Sequence, residues 1–302
     1  MTPGPRICAI EAGGTKVVCS VGSSPEELAQ VTPVVVATAD PEVTMAEVAA
    51  WLRAADADHH VDAVGIASFG PVNLAAQAIS MSTPKLAWRG FSWATAIGEV
   101  LGVVPVGFET DTNAACLAEA TMGAGRGDGV VAYLTVGTGI GGGLVLEGRP
   151  LHGLVHPEFG HLRIARQPED HFAGSCPIHG DCFEGLAAGP AIEARWGSKG
   201  EQLEPGHPAW ALEARYLAQG IVDIIAIASP HRVIVGGGVA GVPGLLDGVR
   251  GEVVDLLAGY LPHPSFGAAI EHYLVPPGLG DRSGVIGAWL VGHAAWEQAG
   301  SN

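Results

Sequence analysis

Two short stretches constrain the fold of this chain more than any other feature. AIEAGGTKVVCSV, residues 9–21, and YLTVGTGIGGGLVL, residues 133–146, are each an apolar strand, a Gly/Thr turn and a second apolar strand. Runs this short and this rich in β-branched residues, closed by glycines, read as buried strands and not as helices. The pattern recurs about half a chain apart, which predicts two related lobes. No low-complexity linker separates them, so a cleft between lobes is expected and not beads on a string. A chain of 302 residues is long enough for two lobes of ordinary size.

The remaining segments alternate in the manner of an α/β protein. RICAIEAGGTKVVCSVG (6–22) is a strand, a glycine turn and a strand. EVTMAEVAAWLRAA (42–55) has helical spacing, and VDAVGIASFGPV (61–72) reads as a buried strand ending in a Gly-Pro turn. VPVGFETDTNAACLAEATMGAG (104–125) is a strand, a polar turn and a helix that Thr112 or Asn113 could cap. A hairpin over 129–146 is followed by a loop-rich insertion over roughly 149–190. ALEARYLAQGIVDIIAIASP is then a mostly buried helix stopped by Pro230, RVIVGGGV a strand running into glycines, and SGVIGAWLVGHAAWEQAG a final helix.

Charge and cysteine usage exclude several classes of function. The formal net charge is −16, which disfavours nucleic acid and anionic membrane surfaces, because both attract a basic face. The five cysteines, Cys8, Cys19, Cys116, Cys176 and Cys182, are odd in number, so a reducing, cytoplasmic compartment fits better than a disulfide framework. MTPGPRICAIEAGG has no basic segment followed by an apolar run and does not read as a signal peptide. Residues 129–146 carry no charge, but six of those 18 residues are glycine, and two strands about a turn describe them better than a membrane span.

Three glycine clusters each close a strand: Gly13-Gly14-Thr15-Lys16, Gly137-Thr138-Gly139-Ile140-Gly141 and Gly236-Gly237-Gly238. Glycine lets backbone N–H groups approach phosphate oxygens, and threonine adds a hydroxyl donor. One such cluster is an ordinary tight turn; three of them predict a nucleotide cleft. None matches a P-loop or a dinucleotide fingerprint. Asp111, in Glu-Thr-Asp-Thr-Asn (109–113), stands at a strand end just before a helix. It is either a helix cap or a carboxylate placed to take a proton from a hydroxyl.

His161, Cys176, His179 and Cys182 offer two imidazoles and two thiols at the spacing of a closed tetrahedral zinc site. Four protein ligands leave no position for water, so the metal would shape the 161–182 loop while the reaction happens elsewhere. His152, His156 and His171 are competing ligands. Glu158 and Glu184 flank the loop and suit hydrogen bonding to sugar hydroxyls, or are solvated surface charges.

Taken together, EAGGTK, SFGPV, TPKLAW, ETDTNAA, VGTGIGGG, HPEFGH, CPIHGDCFEGLAAGPAIEARWG, IVGGGV and PPGLG resemble the ROK family of bacterial sugar kinases, and within it the zinc-containing fructokinase branch. The resemblance spans essentially the whole chain, and the block over 156–197 is its most specific part. It implies an α/β, two-lobed actin-like ATPase (ribonuclease H-like) fold with an inserted zinc loop. The expected division is an N-terminal lobe over 1–113, joined by a C-terminal helix over 283–302, and a C-terminal lobe over 114–282 whose zinc insertion covers about 156–190.

The same resemblance implies ATP-dependent phosphorylation of D-fructose at its 6-hydroxyl, with another hexose (glucose, mannose or an N-acetylated amino sugar) as the alternative substrate. It implies Asp111 as general base and Asn113 in the same motif, with Glu158, His161 and Glu184 on the sugar side. His161 doubles as a zinc ligand with Cys176, His179 and Cys182. Gly13, Gly14, Thr15, Lys16, Gly137, Thr138, Gly139, Gly189, Pro190, Gly236, Gly237 and Gly238 would hold ATP, with Mg²⁺ as its counter-ion. The implied partners are a small sugar, ATP and a second copy of the chain. Glu11 stands where the wider family often has Asp, and His179 where it often has a third Cys; both suit the fructokinase branch. A sugar-sensing repressor of the same family would need a DNA-binding domain ahead of residue 11, and a zinc hydrolase would need an open metal position.

Overall fold

The computed structural model describes residues 4–301; the first three residues of the stretch read for a leader lie outside them. The chain divides into two compact units. One comprises the chain up to Ala118, His152–His156 and everything from Asp281 on; the other comprises Glu119–Leu151 and Pro157–Gly280.

The first unit is built on a five-stranded sheet, ordered β3-β2-β1-β4-β7, from β1 (Ile7–Ala12), β2 (Lys16–Gly22), β3 (Val34–Ala37), β4 (Ala63–Ser68) and β7 (Val106–Thr110). β1 runs antiparallel to β2 and parallel to β4, so the expected N-terminal hairpin sits beside parallel strands. Side chains alternate across β1. Cys8, Ile10 and Ala12 join one apolar cluster with Trp88 and Trp93, while Ile7 and Ala9 join another with Val285, Ala288 and Trp289. Both faces are therefore covered, which is why this central strand is apolar except at Glu11.

Helices α2 (Pro41–Asp58) and α3 (Trp93–Leu101) contribute to the first cluster, and α10 (Ser283–Gly300) to the second. Gly65 on β4 lets α10 lie against the sheet, since a Cβ there would overlap Ala288 O. Short helix α1 (Pro25–Gln30) buries Leu28, and Arg282 donates to Leu28 O and Val31 O at 2.7 and 2.8 Å. A two-residue ladder, β5 (Val72–Asn73) with β6 (Ala78–Ile79), follows the Gly-Pro turn.

The second unit carries the other hairpin in a sheet ordered β10-β9-β8-β11-β12. Its strands are β8 (Val130–Val136), β9 (Ile140–Leu146), β10 (Arg149–Pro150), β11 (Arg232–Gly236) and β12 (Leu274–Val275). The stretch tested as a membrane span is thus an antiparallel pair, with Val136 opposite Ile140. No helix among the described residues is long and apolar enough to cross a membrane. α7 (Pro208–Ala228) fills the core, burying Leu212, Tyr216, Leu217, Ile221, Ile224 and Ile225 at helical spacing. It packs with α5 (Phe183–Ala187), α6 (Gly189–Trp196) and α8 (Leu245–Leu257), while α9 (Ile270–Tyr273) leads into β12.

α4 (Asp111–Met122) begins at least two residues earlier than a cap at Thr112 or Asn113 would allow. Thr112 and Asn113 lie inside its first turn, and the capping hydroxyl is that of Thr110, which accepts from Asn113 N at 3.1 Å. The last residue of β7 serves as the cap because only a residue with extended backbone can turn its side chain back onto the free amides of the first turn.

Candidate active site

In the first unit, the turn between β1 and β2 is backed by Thr38. Gly13 N donates to Lys16 O at 2.9 Å, and Thr38 Oγ1 donates to Gly13 O at 2.9 Å. This support leaves Thr15 and Lys16 exposed, as side chains that meet a ligand must be. Glu11 lies two residues before the turn, half-buried, with its carboxyl against Gly284 in the first turn of α10; any side chain at 284 would overlap it. Burial pushes Glu11 up to about 7, with Asp281 adding to the rise and Lys16 opposing it.

Asp111 stands at the head of α4, where its Oδ1 accepts from Thr112 N at 2.8 Å. Asn113 is fully buried; its Nδ2 donates to Glu109 Oε1 at 3.1 Å, and Thr110 N donates to the same oxygen at 2.7 Å. The other oxygen of Glu109 lies 2.6 Å from His152 Nε2. Sequence reasoning weighed His152 as a zinc ligand and passed over Glu109 entirely. Its one signal was a charged residue inside an otherwise apolar strand.

In the second unit, three of the glycine segments converge. Gly189 N, at the start of α6, donates to Gly137 O at 2.7 Å, and Val239 N donates to Val136 O at 3.0 Å. Gly237, at φ 93°, passes so close to Val136 that any side chain would overlap its backbone. Gly137–Gly139, Gly189–Pro190 and Gly236–Gly238 thus gather at one end of the sheet, around the β8–β9 turn. Three backbone segments with little side-chain bulk make a surface that a polyphosphate and its nucleoside can approach closely.

Glu184, read from sequence as a sugar-side carboxylate, is hydrogen-bonded to the start of β9. One of its oxygens accepts from Ile140 N at 3.0 Å, and Gly139 leaves the room for it, since a Cβ there would stand 2.6 Å from that oxygen. Not every glycine of Val-Gly-Thr-Gly-Ile-Gly-Gly-Gly serves a ligand. Gly142 makes space for the Phe159 ring, and Gly160 packs on the carbonyl of Ile140. These contacts seat the short 3₁₀ turn Phe159–His161, which Glu158 precedes, directly on β9.

The metal-ligand set closes up. One ligand atom from each of His161, Cys176, His179 and Cys182 lies within 4.8 Å of all the others. His161 Nδ1 is 3.5 Å from Cys182 Sγ and 4.0 Å from Cys176 Sγ, and His179 Nδ1 is 3.9 Å from Cys176 Sγ. A tetrahedral zinc with Zn–S near 2.3 Å and Zn–N near 2.0–2.1 Å sets such edges at about 3.5–3.8 Å, so the donor set fits. The competing histidines are elsewhere: His152 is at Glu109, His156 Nε2 accepts from Val72 N at 3.0 Å, and His171 is exposed.

A buried polar cluster holds the same loop independently of any metal. Arg195 donates to both oxygens of Asp170 at 3.2 and 3.1 Å and to Leu186 O at 2.8 Å, and Tyr216 OH donates to Asp170 Oδ2 at 2.6 Å. Burial pushes the Asp170 carboxyl up, but hydrogen bonds from Tyr216, Phe172 N and Arg195 outweigh it and hold the group below the usual range. Arg166 and Arg163 both reach Asp181, between His179 and Cys182, at 3.0 and 3.1 Å.

Paired five-stranded α/β sheets, each opening on a strand–glycine turn–strand hairpin, define the actin-like ATPase (ribonuclease H-like) class, here with an inserted Cys/His loop. The ROK hexokinase from Thermus thermophilus superposes with a TM-score of 0.76 at 28% identity, covering 97% of this chain and 99% of that one. The chain belongs to the ROK family, whose family model matches residues 7–294. It is 40% identical over 296 residues to a fructokinase of Zymomonas mobilis, spanning 95% of this chain and 96% of the relative. It is 35% identical to a fructokinase of Pediococcus pentosaceus, spanning 96% and 99% of the two chains.

Proposed function

We propose that this chain is a fructokinase, transferring the γ-phosphoryl group of ATP to the 6-hydroxyl of D-fructose. The observation that carries the sugar is likeness to fructokinases at 35–40% identity over nearly the full length. The gathering of Gly137–Gly139, Gly189–Pro190 and Gly236–Gly238 at one sheet end supports the nucleotide.

In this reading Asp111 takes the proton as the C6 oxygen attacks the γ-phosphorus. It is suited to this because it is a carboxylate held at the head of α4, where Thr112 N donates to Oδ1. Asn113 keeps the turn in shape through Glu109. In the first unit the Gly13–Lys16 turn offers the exposed Thr15 and Lys16 as phosphate donors, and in the second the Gly137–Gly139 turn offers backbone N–H groups, suited to charge that accumulates in a loose transition state. Mg²⁺ would supply charge neutralisation on the phosphates, and Glu11, two residues before the Gly13–Lys16 turn, would be the acid on this side.

His161, Cys176, His179 and Cys182 would hold a structural zinc that pins the loop. His161 would donate to a sugar hydroxyl, while Glu158 and Glu184 would accept from others. The setting is the cytoplasm, where ATP and reduced thiols coexist; none of the five cysteines is in a disulfide among the described residues. A homodimer, implied by the family, is checked by light scattering.

A second reading, a hexokinase of different or broader sugar preference, is favoured by the Thermus thermophilus neighbour. One assay separates them: sugar-stimulated ADP release with fructose, glucose, mannose and N-acetylglucosamine side by side. Fructose gives the highest kcat/KM if the proposal holds, another sugar winning replaces the substrate, and no stimulation by any sugar in zinc-replete protein overturns the kinase reading.

A further inference from the structure

Glu109 is 3% exposed, sits one residue before the end of β7, and spends one oxygen on the segment that carries Asp111 and the other on His152. Oε1 takes the amide of Thr110 on one side of Asp111 and the side chain of Asn113 on the other. Oε2 is served by His152 Nε2 at 2.6 Å. A carboxylate only accepts, so the imidazole donates.

His152 belongs to a five-residue segment, His152–His156, that is part of the first unit although the residues flanking it belong to the second. Its two histidines anchor it: His152 to Glu109, and His156, 5% exposed, to Val72 N. Gly153, Leu154 and Val155 between them are exposed. The segment thus has no apolar seat of its own among these three residues, and the two imidazoles set where it lies.

We infer that His152 is a positioning residue for phosphoryl transfer, acting through Glu109 on the Thr110–Asn113 turn and so on the aim of Asp111. The inference rests on the kinase reading above. A buried carboxylate stripped of one donor turns to find another, and here turning withdraws Oε1 from Thr110 N and Asn113 Nδ2 together. A shift of about 1 Å in a reacting group costs roughly 10²-fold in rate, whereas neither bond touches the nucleotide turns.

The test compares His152→Ala, His152→Gln, Glu109→Gln and the double variant His152→Ala/Glu109→Gln in the full-length, zinc-loaded enzyme, with whichever sugar the wild type phosphorylates. Alanine is expected to lower kcat by roughly 10- to 100-fold with KM for ATP within about twofold, and glutamine, whose amide can donate to Oε2, to recover most of the loss. The double variant is expected to be no worse than the poorer single one, because both remove one link.

Hydrogen exchange of the Thr110 and Asn113 amides gives a readout free of catalysis, expected to accelerate roughly tenfold in His152→Ala and not in His152→Gln. Wild-type kcat in His152→Ala, multiplicative losses in the double variant, or unchanged exchange at those amides each overturns the inference. A wild-type enzyme that no hexose stimulates overturns the function instead, and the exchange data still decide whether His152 controls the turn.

Discussion

Replacing Asp111 by asparagine is the substitution that most directly tests the chemistry. It keeps the bond that Thr112 N makes to this side chain. Thr112 N donates to Oδ1 of Asp111, and an asparagine presents the same oxygen at the same place. The Thr110 hydroxyl that caps α4 and the Glu109 bonds to Thr110 N and Asn113 are untouched. What is lost is the capacity to accept a proton in the transition state. General-base catalysis contributes about 10²- to 10⁴-fold, a barrier increase of roughly 2.7–5.5 kcal/mol at about 1.36 kcal/mol per factor of ten.

The expected result is therefore a kcat lower by about 10²- to 10⁴-fold, with sugar KM and melting temperature nearly unchanged. Coupled ADP release measures the first two, and differential scanning calorimetry the third. Thr110→Val is the control. It removes the cap and costs about 1 kcal/mol of stability while keeping the carboxylate of Asp111, so it separates loss of the turn from loss of the base. If Asp111→Asn turns over at near the wild-type rate, Asp111 is not the base. If it melts much earlier, the premise that its role lies in chemistry and not in the turn is wrong.

Three other outcomes follow from the geometry. Purified protein should carry about one zinc per chain by atomic absorption, and Cys176→Ser should lose it, raising KM for the sugar far more than KM for ATP; a fully active, well-folded, verified zinc-free protein would refute the structural role. Asp170 is held below the ordinary carboxylate range, so its stabilisation is fully present above the unfolded value and disappears as pH falls through the folded one. Melting temperature should drop below about pH 4 more steeply in the wild type than in Asp170→Ala, which already lacks a buried pair whose disruption costs about 3–5 kcal/mol. Glu11 is raised to about 7, so the native state keeps a proton that the unfolded chain has shed. Stability should therefore fall as pH climbs from the ordinary glutamate range to about 7, by at most about 3 kcal/mol, and denaturant titrations of Glu11→Gln should show a flatter profile.

Much of the fold was legible because the decisive patterns are local. The hairpins at both sheet centres are periodic, apolar and punctuated by glycine, and the chain places strands where they were read. The helix over 42–55 was found but extends over Pro41–Asp58, since Pro at its start and polar residues at its end give no apolar period to mark the limits. The cap was misplaced by two residues or more, because Thr110, Thr112 and Asn113 are all good caps and only the backbone shows which is extended.

Residue type and short spacing specify the strand–turn–strand units, the tetrad His161, Cys176, His179 and Cys182, and the motif around Asp111. What these are joined to emerges from packing alone. It brought Gly189 onto Gly137 and Gly237 onto Val136, gave Glu184 to Ile140 N, sent His152 to Glu109 and not to the metal set, and closed Asp170 between Arg195 and Tyr216. The physical reason is sequence separation. A buried carboxylate must find donors, but which donors reach it depends on how segments tens of residues apart pack, and no local period records that.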